Sequence, residues 1–419
     1  MKFDVEYVRL QFPALLKKVN GFPAVFFDGP GGTQVPRRVI DKMVDYLTNH
    51  NSNIHGKFAT TMETDKMIAN ARKTFADYFG CSEEEVAFCH NSTTINYKLA
   101  LGIARDLETG DEIVITDMDH EANRGPWELL AEQGMVIKSV RFDPQTCTLD
   151  MQDYKNKLSS KTKVVAFNYA SNAVGTISNA KEIIRLAKEH GAISVVDAVH
   201  YALHGVIDVK DMVADFLFCS AYKFFGPHIG VLYGKKEKMD TIRTLRVNAQ
   251  KPDPPFKFET GTLNHEGIAG AAEAIEFIAD IGARHRENFK DIPAHYSERR
   301  KNIVYGMLSM EAYEKPLADY FKEELSKTGG LKVYAPPKDH PCTSTISFTL
   351  KDIPPAEVAR RLGDKGIFVW DGDFYAVQIV KTLGLNESGG LVRIGLAPYN
   401  TREEIDRTLR EIREVAVGK

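Results

Sequence analysis

The chain has 419 residues, with 54 Lys and Arg against 57 Asp and Glu and a formal net charge of −3. That length predicts roughly two or three domains with a large core, and hydrophobic and charged fractions of 43% and 26% are ordinary for a globular protein. The composition excludes disorder, collagen-like repetition and a nucleic-acid-binding charge excess, and no stretch approaches the roughly 20 apolar residues that span a bilayer. The N-terminal stretch MKFDVEYVRLQFPALLKK is broken by charges and has no signal-peptide core. The cysteines, Cys81, Cys89, Cys147, Cys219 and Cys342, are odd in number and scattered, with no C-x-x-C pair. They predict reduced thiols in a cytoplasmic enzyme rather than a disulfide framework or a structural zinc.

From about residue 66 to 245, short apolar runs alternate with helical patterns. The runs are EVAFC (85–89), EIVIT (112–116), MVIKSV (135–140), KVVAFNY (163–169), ISVVDA (193–198), DFLFCS (215–220) and GVLYG (230–234). Between them, the segment Lys181–His190 places Ile183, Ile184 and Ala187 on one helical face, with Ser178 as a candidate cap and Gly191 as a stop. Apolar strands alternating with helices predict an α/β fold with a parallel sheet covered on both faces. In such sheets chemistry gathers at the carboxyl ends of the strands.

Residues 247–258, VNAQKPDPPFKF, predict an irregular crossing segment, and 267–282 a long apolar helix. The strands STISFTL (344–350), GIFVW (366–370) and LVRIGLA (391–397) follow, then a terminal helix in which Thr401 and Glu404 have capping-box spacing. The predicted division is a large domain over 21–285 and a small one formed by 1–20 and 286–419.

In DFLFCSAYKFFGPHIGVLYG, a buried strand ends in Ser220-Ala221-Tyr222-Lys223. Lysine is rarely buried without a task, and in an apolar setting its pKa falls, which frees the amine as a nucleophile. That chemistry suits a Schiff base with an aldehyde cofactor, although a solvated lysine in a turn reads the same in isolation. VVDAVHYA places Asp197 at another strand end. A carboxylate there suits pyridoxal phosphate, whose ring nitrogen must stay protonated to accept electrons. HNSTT (90–94) is a polar turn into a helix, suited either to a phosphate or to ordinary capping. His120, after the strand EIVIT, is placed to stack on a flat ring or to move a proton. Gly29-Pro30-Gly31-Gly32 is not a nucleotide-binding G-x-G-x-x-G and predicts instead a close approach of backbone to substrate. His204, His228 and His265 have no metal-ligand spacing, and no metal is predicted.

Together these motifs resemble the class V aminotransferase family, in its cysteine desulfurase-like branch, over nearly the whole chain from FFDGPGGTQVP (26–36) to LVRIGLAPYNTREEIDR (391–407). The resemblance implies a homodimer of the pyridoxal-phosphate-dependent fold type I, with shared active sites, a small amino-acid substrate and no nucleic-acid or membrane partner. It implies that Lys223 is the Schiff-base lysine, Asp197 the ring-nitrogen partner and His120 the stacking histidine. It implies that Ser92, Thr93 and Ser220 bind phosphate, that Asn172 lies near the phenolic oxygen, and that Thr262 reaches the partner's phosphate. Arg393 then grips the substrate carboxylate, a task for its bidentate fork, and His55 lies on the substrate side.

Three positions depart from the family pattern. Tyr222 replaces the histidine before the lysine, and His200 replaces a glutamine; both retain the capacity to hydrogen-bond the cofactor. Tyr375, in GIFVWDGDFYAVQI (366–379), occupies the position of the cysteine that accepts sulfur in desulfurases. A phenol cannot form a persulfide, whereas a thiolate can. Cys342 is a remote substitute. Trp370, Phe374 and Tyr375 line a pocket wall or pack as loop aromatics, and Tyr375 is placed for acid–base work opposite Lys223. The expected activity is carbon–sulfur cleavage of a small amino acid without a cysteine persulfide. The alternatives are transamination, epimerisation and a non-catalytic cofactor-binding scaffold.

Overall fold

The computed structural model describes residues 3–289 and 292–418, and the apolar runs form one seven-stranded sheet. Its strands are β1 (Val86–Cys89), β2 (Glu112–Thr116), β3 (Val136–Val140), β4 (Thr162–Asn168), β5 (Ile193–Asp197), β6 (Phe216–Ser220) and β7 (Gly230–Gly234). They lie in the order β1-β7-β6-β5-β4-β2-β3. The strands from β6 to β3 are parallel, whereas β7 runs antiparallel to both β6 and β1. Successive residues of a strand point to opposite faces. Val114, Val165, Val196, Leu217 and Val231 accordingly join one core cluster, and Ile113, Val164, Val195, Phe216 and Leu232 join another.

Helices α1 (Ala59–Phe79), α2 (Ser92–Ile103), α3 (Glu121–Glu128) and α4 (Ala180–Glu189) pack around this sheet, followed by α5 (His265–His285), α6 (Glu298–Ser326) and α7 (Arg402–Ala416). Helix α4 buries Ile183, Ile184 and Ala187 as its spacing predicts. Its cap is Asn179, which accepts from Glu182 N, rather than Ser178; either residue type serves, and helix register decides between them. Gly191, at φ +74°, follows the helix end. The capping box of Thr401 and Glu404 opens α7.

Helices α5 and α6 cross at two glycines. A Cβ on Gly282 would lie 1.8 Å from the Asn302 carbonyl oxygen, and one on Gly306 would lie 2.2 Å from that of Ile278. Helix α6 then continues out of the large core, where it buries Ile303, Met307 and Met310, into a second core, where it buries Phe321 and Leu325. That second core lies against an antiparallel sheet of β8 (Leu331–Tyr334), β9 (Thr345–Leu350), β10 (Trp370–Gly372) and β11 (Leu391–Gly395), ordered β8-β9-β11-β10. The run GIFVW does not form one strand. Ile367–Phe368 pairs in parallel with Val25–Phe26, and after Val369 the chain passes to β10. Near the N-terminus, Phe12 packs edge-on against Phe225, Phe277 and Tyr399 and so touches both halves of the molecule.

The irregular segment is anchored by a buried ion pair. Arg72 donates to both carboxylate oxygens of Glu259, at 2.7 and 2.6 Å, and Glu259 also accepts from Phe88 N of β1 at 2.8 Å. Removing one member of such a pair strands a buried charge, at a cost of about 3–5 kcal/mol. Glu259→Ala is therefore expected to lower unfolding stability by that amount in a urea titration. A loss below about 1 kcal/mol would contradict the anchoring role.

Candidate active site

The carboxyl edge of the large sheet brings the chemistry-bearing residues together. Asn168 ends β4 and Asp197 ends β5, and the two are paired in register. Ser220 ends β6, and Lys223 follows it in a single turn of 3-10 helix. On the neighbouring loops, His120 caps α3, its Nδ1 accepting from Ala122 N at 3.0 Å, and Ser92 and Thr93 open α2. Ser92, Thr93, His120, Asn168, Asn172, Asp197, His200, Tyr222 and Lys223 line one cavity.

Burial sets the protonation chemistry. The Lys223 ammonium is pushed down to about 7 by desolvation, with the Arg393 charge adding to the shift and Asp197 opposing it. Its Nζ donates to the Pro30 carbonyl and lies 4.9 Å from the Tyr222 ring centroid. Burial raises the Asp197 carboxyl to about 7; Val199 N, donating at 2.8 Å, opposes the rise and the buried Asp119 adds to it. His120 is lowered to about 4 by burial and by the charges of Lys223 and Arg393, so its ring is neutral around pH 7. His200 is also held well below the usual histidine range, mainly by burial. Its Nε2 is 2.9 Å from Thr345 Oγ1 and 3.3 Å from Thr343 Oγ1, so the small sheet holds this imidazole.

The small sheet also supplies Arg393 from β11. The side chain is buried, Nη1 donates to the Asn172 carbonyl at 2.9 Å, and Nε has no partner. Its guanidinium carbon lies 4.1 Å from the Phe374 ring centroid. Asn172 Nδ2 donates to the Phe374 carbonyl at 2.9 Å, which ties the loop 373–375 to the large sheet. Tyr375 is 68% exposed, and its ring centroid is 5.4 Å from that of His120. Gly31 lies where Trp370 leaves no room for a side chain, because a Cβ there would be 2.2 Å from Trp370 Nε1. With Pro30 it forms part of the outer cavity wall beside Lys223 and Arg393.

Some expected residues lie elsewhere. His55 is exposed and pairs with Asp65 at 3.2 Å, and Thr262 is exposed; neither lines the cavity of its own chain. Cys342 lies in a separate small cavity with His204 and Glu314, where its sulfur accepts from Lys322 Nζ at 3.3 Å. Among the described residues no cysteine lines the cavity around Lys223. Asn168, Thr343, Thr345 and Phe374's stacking on Arg393 were not anticipated. Asn168 lies within reach of the strand-end rule, as the polar residue next to last in the run KVVAFNY. The threonines carry no local signal because their partner is distant in sequence.

The donor set suits a small phosphorylated aldehyde with a basic ring nitrogen. Ser220 Oγ is buried without a hydrogen-bond partner, and the N-terminus of α2 presents Ser92 and Thr93 to the cavity. A depressed amine and a buried carboxylate share that cavity.

The sequence profile of the family Aminotransferase class-V matches residues 25–300 and 301–408. The chain is 33% identical over 414 residues to a probable cysteine desulfurase of Halalkalibacterium halodurans, covering 95% of each protein. The apo structure of the cysteine desulfurase from Thermococcus onnurineus NA1 superposes with a TM-score of 0.86 at 29% identity, covering 100% of this chain and 99% of that one. The Escherichia coli cysteine desulfurase CsdA has the same fold, with a TM-score of 0.84 at 23% identity and the same coverage. Depressed lysine, buried carboxylate and sequence match lead to one conclusion: the chain belongs to aminotransferase class V, the pyridoxal-phosphate-dependent enzymes of fold type I that include the cysteine desulfurases.

Proposed function

We propose that this enzyme cleaves the carbon–sulfur bond of cysteine or a cysteine S-conjugate without passing sulfur to a protein cysteine. The observation that carries the reading is the pairing of a half-buried Lys223, its ammonium disfavoured by desolvation, with Arg393 in a cavity where Tyr375, and no thiol, occupies the loop. When bound, pyridoxal phosphate supplies an aldehyde for covalent capture of the amino group and a ring that accepts electrons. Asp197 would hold the proton on its ring nitrogen, and His120 would lie against the ring. Ser92, Thr93, Ser220 and Tyr222 would hold its phosphate, with Asn172 and His200 toward its phenolic oxygen. Arg393 takes the substrate carboxylate and so orients the Cα–H bond toward Lys223. Lys223 Nζ, neutral above about pH 7, removes that proton, and Tyr375 is placed to protonate the departing sulfur. The net reaction takes one water and gives a thiol, pyruvate and ammonium.

The exposed Thr262 and His55 support a homodimer in which each chain completes the other's site, and free cysteines support a cytoplasmic setting. The separate core around β8–β11 supports a small domain over 286–419 beside a large one over 21–285. Val8 and Phe12, of the segment 1–20 assigned to the small domain, pack in the large core, whereas Val25 and Phe27 pack in the small one.

Lys223→Ala should abolish pyruvate release from S-alkyl cysteines, by about 10³-fold or more, while circular dichroism stays unchanged. Formation of the substrate's own keto acid only when a keto-acid acceptor is present, with no pyruvate, would favour transamination instead. A second outcome follows from the depressed amine. The rate at which cofactor-free protein captures pyridoxal phosphate should rise with pH to a plateau, with a midpoint near 7. The neutral amine is the nucleophile, so a midpoint near the ordinary lysine value of about 10.4 would contradict the buried setting.

A further inference from the structure

The cavity around Lys223 extends from the cofactor pocket out to a rim formed by Trp370, Asp371, Asp373 and Tyr375. It has a volume of about 820 Å³, within the roughly 300–1,000 Å³ of sites that hold drug-sized ligands. Its charges are also divided by depth. The inner cation is Arg393, which is 4% exposed with its Nε unpartnered, and Lys223 lines the same cavity as an amine whose ammonium is disfavoured. The rim carries Glu121, Asp371 and Asp373, and among the described residues none of the three joins an ion pair. Burial raises the Glu121 carboxyl; the Arg124 charge opposes the rise, and Glu128 and Asp373 add to it. Asp371 and Asp373 thus leave negative charge at the opening, where a positive group on a ligand is attracted.

The aromatic residues agree with that polarity. Trp370 is 48% exposed and Tyr375 68% exposed at the same rim, where Tyr97 also presents its ring. A tryptophan or tyrosine face attracts a cation, more strongly once water is displaced. The loop that bears these groups is held in a costly conformation. Phe374 and Tyr375 have φ of +56° and +58°, a left-handed region that bulky residues rarely occupy. Asp373 Oδ1 accepting from Tyr375 N at 2.9 Å and Glu121 N donating to the Tyr375 carbonyl at 2.8 Å maintain it. The result places an aromatic ring over Arg393 and carboxylates at the opening.

We propose that the substrate is an amino acid whose side chain, beyond the sulfur, carries a positively charged group lodged between the rim carboxylates and the Trp370 and Tyr375 rings. The inference rests on the lyase reading for the position of the sulfur, and its charge preference is measurable apart from turnover. The substrate's own carboxylate lies at the inner, cationic end, and its distal cation lies at the outer, anionic end. The polarity of the ligand mirrors that of the cavity.

The test uses enzyme loaded with pyridoxal phosphate and three probes: S-(2-aminoethyl)-cysteine, S-propyl-cysteine and S-(2-carboxyethyl)-cysteine. Binding is read from the change in the visible absorption band and cleavage from pyruvate. The cationic probe should bind about tenfold more tightly than the neutral one, and the anionic probe most weakly. In the double variant Asp371→Asn, Asp373→Asn the ratio of cationic to neutral affinity should fall to about threefold or less. Equal affinities for the cationic and neutral probes, or a ratio unchanged in the double variant, would overturn the proposal. Charge-selective binding without pyruvate would sustain it and overturn the lyase reading. Pyruvate formed with no charge preference would do the reverse.

Discussion

The site depends on one arrangement: a lysine amine buried at the end of a central strand, with Arg393 and Asp197 as its electrostatic neighbours. Desolvation disfavours the ammonium, the guanidinium disfavours it further, and the carboxylate partly restores it. An amine near 7 is available as nucleophile and base without a separate activating group. Around the same cavity the other titratable groups take the states this setting imposes. His120 and His200 are neutral, and burial raises the Asp197 carboxyl to about 7, against the opposing Lys223 charge.

Holding that arrangement requires both sheets. The large sheet contributes Asn168, Asp197 and Ser220 at strand ends, and its crossover loops contribute His120 and Asn172. The small sheet contributes Arg393, and through Thr343 and Thr345 the grip on His200. The two are joined by Arg393 donating to the Asn172 carbonyl, by Asn172 donating to the Phe374 carbonyl, and by the long helix α6 that passes through both cores. A displacement of the small sheet therefore moves Arg393 and the His200 imidazole together.

Much of this was legible in the sequence because strands buried on both faces leave continuous apolar runs, and the residue closing each run points to the site. Lys223, Asp197 and His120 were found that way, and Asn168 was within reach of the same rule. The antiparallel setting of GVLYG was hidden, since a buried strand has the same composition in either direction. The break in GIFVW was hidden as well, because Val369 is apolar on both sides of the passage from one strand pairing to the next. Contacts between distant segments left no local mark: Phe374 over Arg393, the threonines on His200, and the unpaired carboxylates at the rim required three dimensions. Tyr375, where the resemblance implies a cysteine, is visible in the sequence itself, and the consequence proposed for the chemistry is the central claim.

That claim is tested most directly by the mass of the intact protein during turnover with cysteine, measured without reductant. A lysine-centred lyase that hands no sulfur to a thiol predicts unchanged polypeptide mass, apart from the bound cofactor, while pyruvate and sulfide accumulate. A one-sulfur increment that maps to a cysteine, and forms at the rate of turnover, would contradict the account and place this enzyme among those that carry sulfur as a persulfide.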